Sequence, residues 1–221
     1  MTNIVLITNG SRPRLLAQTL RTLYVNTPAD QYTLTMVTDG HIEFPFEQDW
    51  GERISVIGMR PPCNVLGRLK NLGIYWSEKQ FGRGEWLCVI DDDLAFFPGW
   101  LEKMQKAMES SNQLHILGGI RHPYHQTDTL LNGGIEITDA VAGYCHFMRW
   151  EMWDRFGPYD AHAKGTGQSE DFAICRKIVD AGGKVGYIQP AVTAHCGVTD
   201  SLGRPAVGMD KIQRKLGVLY E

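Results

Sequence analysis

Eight residues constrain this chain more than any others. Trp86-Leu87-Cys88-Val89-Ile90 runs straight into Asp91-Asp92-Asp93. A short continuous apolar run of this kind reads as a buried central strand of a parallel sheet. Ligands of open α/β sheets bind just beyond the carboxyl ends of such strands, and here three carboxylates stand at that end. Side chains alternate along an extended chain, so Asp91 and Asp93 are expected on one face and Asp92 on the other. Like charges held this close repel and raise one another's pKa. A divalent cation relieves the repulsion, and hard oxygen ligands suit Mg²⁺ or Mn²⁺. The plainer alternative is a solvated acidic turn.

The remainder of the chain supplies the layers such a strand needs. Ile4 to Ile7 is a second buried strand, followed by the polar loop Thr8-Asn9-Gly10-Ser11-Arg12-Pro13 and a helix with Leu15, Leu16, Leu20, Leu23 and Tyr24 on its core face. That order opens a βαβ unit and puts Thr8 to Arg12 at the ligand edge, beside a helix N-terminus that favours anions. Tyr32 to Thr38 is a strand ending at Asp39-Gly40. Asp39 is either a ribose acceptor at the same edge or an ordinary turn residue. Arg53 to Ile57 is a strand and Val65 to Phe81 a helix, with Arg68 and Lys70 near its start as phosphate contacts or as surface charge.

The second half reads as a different construction. Leu101 to Met108 is a helix, His115 to Ile120 a strand and Arg121 to Thr129 a loop. Gly134 to Thr138 and Val141 to Arg149 read as an antiparallel pair joined by a turn at Asp139-Ala140, which makes the sheet mixed. Trp150 to Phe156 is a short helix. A glycine-containing loop (Gly165, Gly167) leads to Ser169-Glu170-Asp171 and a helix to Ala181, with Phe172, Ile174, Ile178 and Val179 inward. Acidic residues stabilise a helix start, so Glu170 and Asp171 have a capping reading as well as a chemical one. Val185 to Ile188 is a strand, and Pro190 to His195 brings one histidine to a strand end. The fold class expected is α/β, a Rossmann-like, mixed but mostly parallel sheet flanked by helices.

Composition narrows the setting. A net charge of −3 provides no global attraction for nucleic acid or anionic membrane. No apolar run approaches the roughly 18 residues of a spanning helix. Five scattered cysteines without a C-x-x-C pair fit idle thiols in a reducing compartment, so a cytoplasmic protein is expected.

The order of these segments resembles the GT-A fold glycosyltransferases, closest to the family 2 type, from Ile4 to about Gly197. Ile7-Thr8-Asn9 with Arg12-Pro13 resembles the family's opening. Val37-Thr38-Asp39-Gly40 is similar to its Asp-Asp-Gly nucleoside contact, with Thr38 in place of the first Asp. Lys70-Asn71-Leu72-Gly73-Ile74 is similar to its Ala-Arg-Asn-x-Gly-Ile segment, with Lys70 in the Arg position. Asp91-Asp92-Asp93 fits the D-x-D motif, Glu170-Asp171 the Glu-Asp motif, and Val192-Thr193-Ala194-His195 the closing histidine segment.

The resemblance implies one catalytic domain over 1–221. Residues 1–95 would form the nucleotide-sugar half, 96–197 the acceptor half and 198–221 a tail or lid. Thr8, Asn9, Arg12, Asp39, Lys70, Asp91 and Asp92 would hold the donor, a UDP-sugar by family likeness. Asp93 and His195, with Asp91 through water, would hold Mn²⁺ or Mg²⁺. Asp171 would be the base of an inverting transfer and Glu170 would orient it or the acceptor; related families also include retaining enzymes. Burial near other carboxylates is expected to keep the Asp171 pKa from being very low. The acceptor is a glycan, a protein, a small molecule or a hydroxylated base in DNA. For DNA there are only the basic residues Arg204, Lys211, Arg214 and Lys215 near the tail. Two other classes compete: a nucleotidyltransferase acting on a sugar phosphate, and a non-catalytic nucleotide-sugar-binding protein.

Overall fold

The computed structural model describes residues 1–40, 50–122, 125, 127–131, 134–162 and 169–197. Its elements are β1 (Thr2–Thr8), α1 (Pro13–Asn26), β2 (Tyr32–Asp39), β3 (Ile54–Met59), α2 (Leu66–Phe81), β4 (Trp86–Asp91), β5 (Leu94–Phe96) and α3 (Trp100–Glu109). There follow β6 (Leu114–Gly118), β7 (Thr127–Leu131), β8 (Ile135–Thr138), β9 (Cys145–Arg149), α4 (Trp150–Phe156), α5 (Glu170–Asp180), β10 (Lys184–Ile188) and β11 (Thr193–His195). Nine strands form one sheet in the order β3-β2-β1-β4-β9-β6-β10-β8-β7, and β5 pairs with β11 in a separate ribbon. Among the nine, β9 and β8 run against the others. The expected mixed, mostly parallel sheet is therefore present.

The alternation of β1 and β4 builds both cores. Ile4, Leu6, Trp86, Cys88 and Ile90 face α1 and α3, through Leu16, Leu20, Leu23, Trp100 and Met104. Val5, Ile7, Leu87 and Val89 face α2, α4 and α5, through Leu69, Ile74, Trp150, Ile174 and Ile178. Every side chain of β1 is buried, as a strand covered by helices on both faces requires. The alternation puts Asp91 on the α2 and α5 side. Pro13 opens α1, where its missing N–H costs nothing.

Four expectations are corrected. The segments 134–138 and 141–149 do not pair with each other. β8 lies between β7 and β10, while β9 starts only at Cys145 and pairs with β4 and β6. The intervening residues 139–144 form a loop because their backbone is used by the site described below. Residues 127–131 belong to a strand and not to the loop read over Arg121 to Thr129. The pair β5 and β11 was not foreseen at all, since each has only three residues. Finally, α5 buries Glu170, Ile174, Cys175 and Ile178, a stripe at helical spacing. Phe172 and Val179 are exposed. Gly165, Gly167 and the segment 198–221, with its four basic residues, lie outside the described residues.

Candidate active site

The strand β4 ends at Asp91, and the next two residues turn the chain into β5. Alternation therefore stops at Asp91, and Asp92 and Asp93 face the same cation instead of opposite sides. Arg12 NH2 donates to Asp92 Oδ1 and Arg12 NH1 to Asp93 Oδ2, each at 2.5 Å. The Thr8 hydroxyl donates to Asp92 Oδ2 at 2.5 Å. Charge-assisted bonds of this length are strong. Arg12 thus serves as the counter-ion of the acidic turn, which no spacing argument indicated. Asn9 is spent on its own loop, accepting from the Ser11 N–H and hydroxyl.

Asp93 also meets His195, with Nε2 3.2 Å from Oδ2. The ribbon of β5 and β11 makes this contact, opposing Leu94 to His195. Gly197 lies over the cluster. A Cβ there would stand 2.4 Å from Asp93 Oδ2 and 3.1 Å from Arg12 NH1, so only glycine lets the chain pass. Two carboxylate oxygens in this cleft, Asp91 Oδ1 and Asp93 Oδ1, are buried and accept no hydrogen bond among the described residues. An orphaned buried acceptor is costly, and a cation is its natural complement. Among the described residues no three His, Cys, Asp or Glu side chains converge as a complete metal set. Mg²⁺-like ions, however, are commonly held by one or two carboxylates plus substrate phosphates, and the orphaned oxygens of Asp91 and Asp93 fit that pattern, with His195 beside Asp93.

The other half of the site lies between α2 and α5. Lys70 is 1% exposed. It donates to Glu170 Oε1 at 2.8 Å and to the Gly143 carbonyl at 3.0 Å. Its Nζ lies 5.4 Å from the centre of the Tyr159 ring. The expected phosphate contact therefore stands inside the protein and not at its surface. The Gly143 N–H donates to Asp171 Oδ2 at 2.7 Å. Asn71, one residue on from Lys70, clasps Tyr159 through both its amide N–H and its carbonyl. The loop 139–144, read in the sequence as a turn at Asp139-Ala140 followed by the start of a strand, thereby connects α2 to α5.

Electrostatics separates the carboxylates. Burial pushes Asp91 up, the Lys70 ammonium resists, and the neighbouring carboxylates add to the rise, so the group is pushed up to about 7. For Asp171 burial also works upward. The Lys70 charge, the Ser169 hydroxyl, His146 and the Gly143 N–H outweigh it and hold the carboxyl below its usual range. The sequence-based expectation weighed burial and carboxylates alone, and the direction for Asp171 is set by other groups as well. Its neighbours are a buried cation and an oriented N–H as well as carboxylates.

His146 on β9 sits beneath this loop, fully buried. Its Nε2 is 2.9 Å from the Val141 carbonyl and its Nδ1 2.9 Å from the Tyr159 hydroxyl. A carbonyl only accepts, so Nε2 carries the proton and Nδ1 accepts from Tyr159. Burial and then Lys70 push its pKa down to about 4. An unfolded histidine takes up a proton near pH 6.5 while the folded one refuses it, so stability is lost as the pH falls between those values. From pH 7 to pH 5 this one group is expected to remove about 2 kcal/mol of folding stability. Urea unfolding at the two pH values checks it: His146→Gln should lose about 2 kcal/mol less than the parent. Equal losses would clear His146 of the effect.

Asp39 stands at the expected edge, but both its oxygens already accept backbone N–H groups, from Cys63 at 2.7 Å and Asn64 at 2.8 Å. Asn64 is in the left-handed region, at φ 51°, and the Asp39 carboxylate holds that turn. The residues that sequence reasoning missed, Gly143, His146, Tyr159 and Gly197, act through backbone or from beneath. The one signal available for them was glycine at positions with no turn to make.

Placed on the sheet, these two clusters lie along the carboxyl edge of β1, β2 and β4, the arrangement of a GT-A fold. Solved structures share it. GalNAc-T7 with UDP, GalNAc and Mn²⁺ is 14% identical with a TM-score of 0.68, over 88% of this chain and 43% of that one. The mannosyltransferase PcManGT from Pyrobaculum calidifontis, in complex with GDP-Man and Mn²⁺, is 13% identical with a TM-score of 0.64, over 91% and 58%. S. aureus TarS residues 1–349 are 11% identical with a TM-score of 0.59, over 87% and 59%. This chain thus spans roughly half the length of these structures. A family model described as Glycosyl transferase family 2 matches residues 66–165, a little under half of the chain. With the fold, that match makes the chain similar to the GT-A fold glycosyltransferases of the family 2 type. No curated protein matches it. Among the described residues, no helix is long and apolar enough to cross a membrane.

Proposed function

We propose that the chain transfers a sugar from a nucleoside-diphosphate donor to an acceptor hydroxyl, with metal dependence and inversion at the anomeric carbon. The observation that carries this reading is Asp93. It is a buried carboxylate with one oxygen on Arg12 and His195 and the other without a partner. Asp93 and His195 would hold Mn²⁺ or Mg²⁺, with Asp91 beside them. Bound there, the ion supplies charge stabilisation for the departing diphosphate.

This chain's own groups do the rest. Arg12 lies beside Asp93 and faces the same diphosphate, where its charge offsets the negative charge that grows as the glycosidic bond breaks. Thr8, Asn9 and Asp92 shape the donor loop. Asp39 keeps a lone pair on each oxygen beyond those used by Cys63 and Asn64, enough to accept from a ribose hydroxyl. On the other side, the acceptor oxygen attacks the anomeric carbon while the bond to the diphosphate oxygen breaks. The acceptor proton passes to Asp171. Glu170, paired with Lys70, carries the charge that orients the helix start. The two described relatives solved with nucleotide, one with UDP and one with GDP-Man, support a nucleoside diphosphate; UDP is proposed here.

Thermal unfolding with UDP, GDP, TDP, CMP and ATP, each with Mn²⁺ and with a chelator, tests the reading. A ligand at about 100 times its Kd adds roughly 2.7 kcal/mol of stability. The expected result is a rise with UDP that chelation abolishes. A rise only with ATP would favour a nucleotidyltransferase, and no rise with any nucleotide would overturn the donor site.

A further inference from the structure

Lys70 is the least expected residue of the site. It is a lysine with almost no exposed surface, on the second turn of α2, with its ammonium between two segments that are distant in sequence. We infer that Lys70 is a positioning residue for Asp171, acting through the Gly143 backbone and through its ion pair with Glu170 to decide which of two adjacent carboxylates serves as base. The inference rests on the glycosyl-transfer reading for the word base, but its geometry stands without it.

One residue, Gly143, joins Lys70 to Asp171. Gly143 accepts from Lys70 with its carbonyl and donates to Asp171 with its N–H. Anything that moves the Lys70 ammonium therefore moves the donor that orients Asp171. Space enforces the link. A Cβ on Gly143 would stand 2.7 Å from Lys70 Nζ and 3.1 Å from the Asp171 Cβ. Glu170 and Asp171 are adjacent, yet their surroundings differ in kind. Glu170 Oε1 is tied directly to a buried cation. Asp171 receives neutral donors, the Gly143 and Phe172 N–H groups and the Ser169 hydroxyl, and sits at the half-open side of the helix start. A carboxylate locked in a buried ion pair cannot accept a proton without leaving that cation unpaired. The one held by a peptide N–H can.

The charged and titratable groups around Asp171 come from every element packed on it: Lys70 from α2, His146 from β9, Tyr144 from the loop, and His122, Tyr159 and Tyr187 beyond. His146 is held neutral, as derived above, and burial drives the three tyrosine hydroxyls upward in pKa. His122 is likewise pushed down, by burial first and then by His125 and His195, to about 4. At neutral pH this leaves Lys70 as the cation that governs Asp171.

The test is a ¹³C-carboxyl NMR titration of the protein without metal or nucleotide, with the Asp171 signal assigned by its absence in Asp171→Asn. The variant is Lys70→Met with Glu170→Gln, which removes the directly paired cation and anion together. The Asp171 midpoint is expected to rise by about one pH unit or more, with a single cooperative unfolding transition retained. Gly143→Ala, which keeps the lysine and displaces its link, is expected to raise the midpoint as well, and it decides the matter alone if the double variant does not fold. A midpoint unchanged from the parent in either folded variant would overturn the inference. Release of the matching nucleoside diphosphate from UDP-, GDP- and TDP-sugars is read separately. If the parent cleaves none of them while the midpoint moves as expected, the transfer reading fails and the positioning of Asp171 stands.

Discussion

Asp171→Asn is expected to bind nucleotide and metal as the parent does and to transfer sugar about 10² to 10⁴ times more slowly, the usual worth of a positioned general base. The substitution isolates the proton transfer because the amide oxygen can still accept the Gly143 N–H that now meets Oδ2 at 2.7 Å. Geometry is kept and basicity is lost. The folded carboxyl sits below its ordinary range, so the ionised form contributes stability above the unfolded pKa, and this is lost as pH falls through the folded one. The variant should accordingly melt slightly lower at pH 7, with the difference vanishing in acid. Single-turnover transfer with saturating donor is the measurement. A rate within a factor of three of the parent would remove Asp171 from the base role and move attention to Glu170.

Asp93→Ala should have the complementary outcome: metal-dependent nucleotide binding disappears while the fold survives. In the parent, burial raises the Asp93 carboxyl, but His195 and Arg12 outweigh it and hold it ionised below its usual range. Removing it takes one carboxylate from Arg12 and one from His195. The Mn²⁺-dependent gain with UDP, roughly 2.7 kcal/mol at about 100 times Kd, should fall to within error of zero. Comparison of each protein with its own ligand-free melting curve separates this from any loss of basal stability. An undiminished gain would exclude Asp93 from the metal site.

The contrast between these two residues is also a measure of what the sequence could disclose. The strand β4 was legible because five apolar residues in a row have few other places to go. The same run put three carboxylates at a sheet edge. The facing of those carboxylates was not legible, because alternation holds only while the chain stays extended, and the strand stops at Asp91. Arg12 could be placed near the edge but not paired, since pairing depends on where Asp92 and Asp93 turn. Glu170 and Asp171 were found as a helix start. Their different surroundings were not legible from spacing, because Glu170 meets Lys70 from 100 residues away and Asp171 meets a backbone N–H that carries no sequence signal. The antiparallel pair read over 134–149 failed for the same reason. Val141 and Ala142 have strand-like composition, but the loop containing them is held by Tyr187, Cys175 and Lys70.

The small ribbon of β5 and β11 has a consequence in time as well as in space. It joins Leu94 to His195, and so sets Asp93, at the strand turn, against a histidine that arrives from near the far end of the described chain. During synthesis, Arg12, Asp92 and Asp93 leave the ribosome long before their histidine does. Arg12 is already available to neutralise the two aspartates in that interval, so the emerging chain carries its own cation through the period when the site is half built. On the metal-dependent reading proposed above, cation capture would be a late event of biosynthesis, open only to chains that have been made through His195.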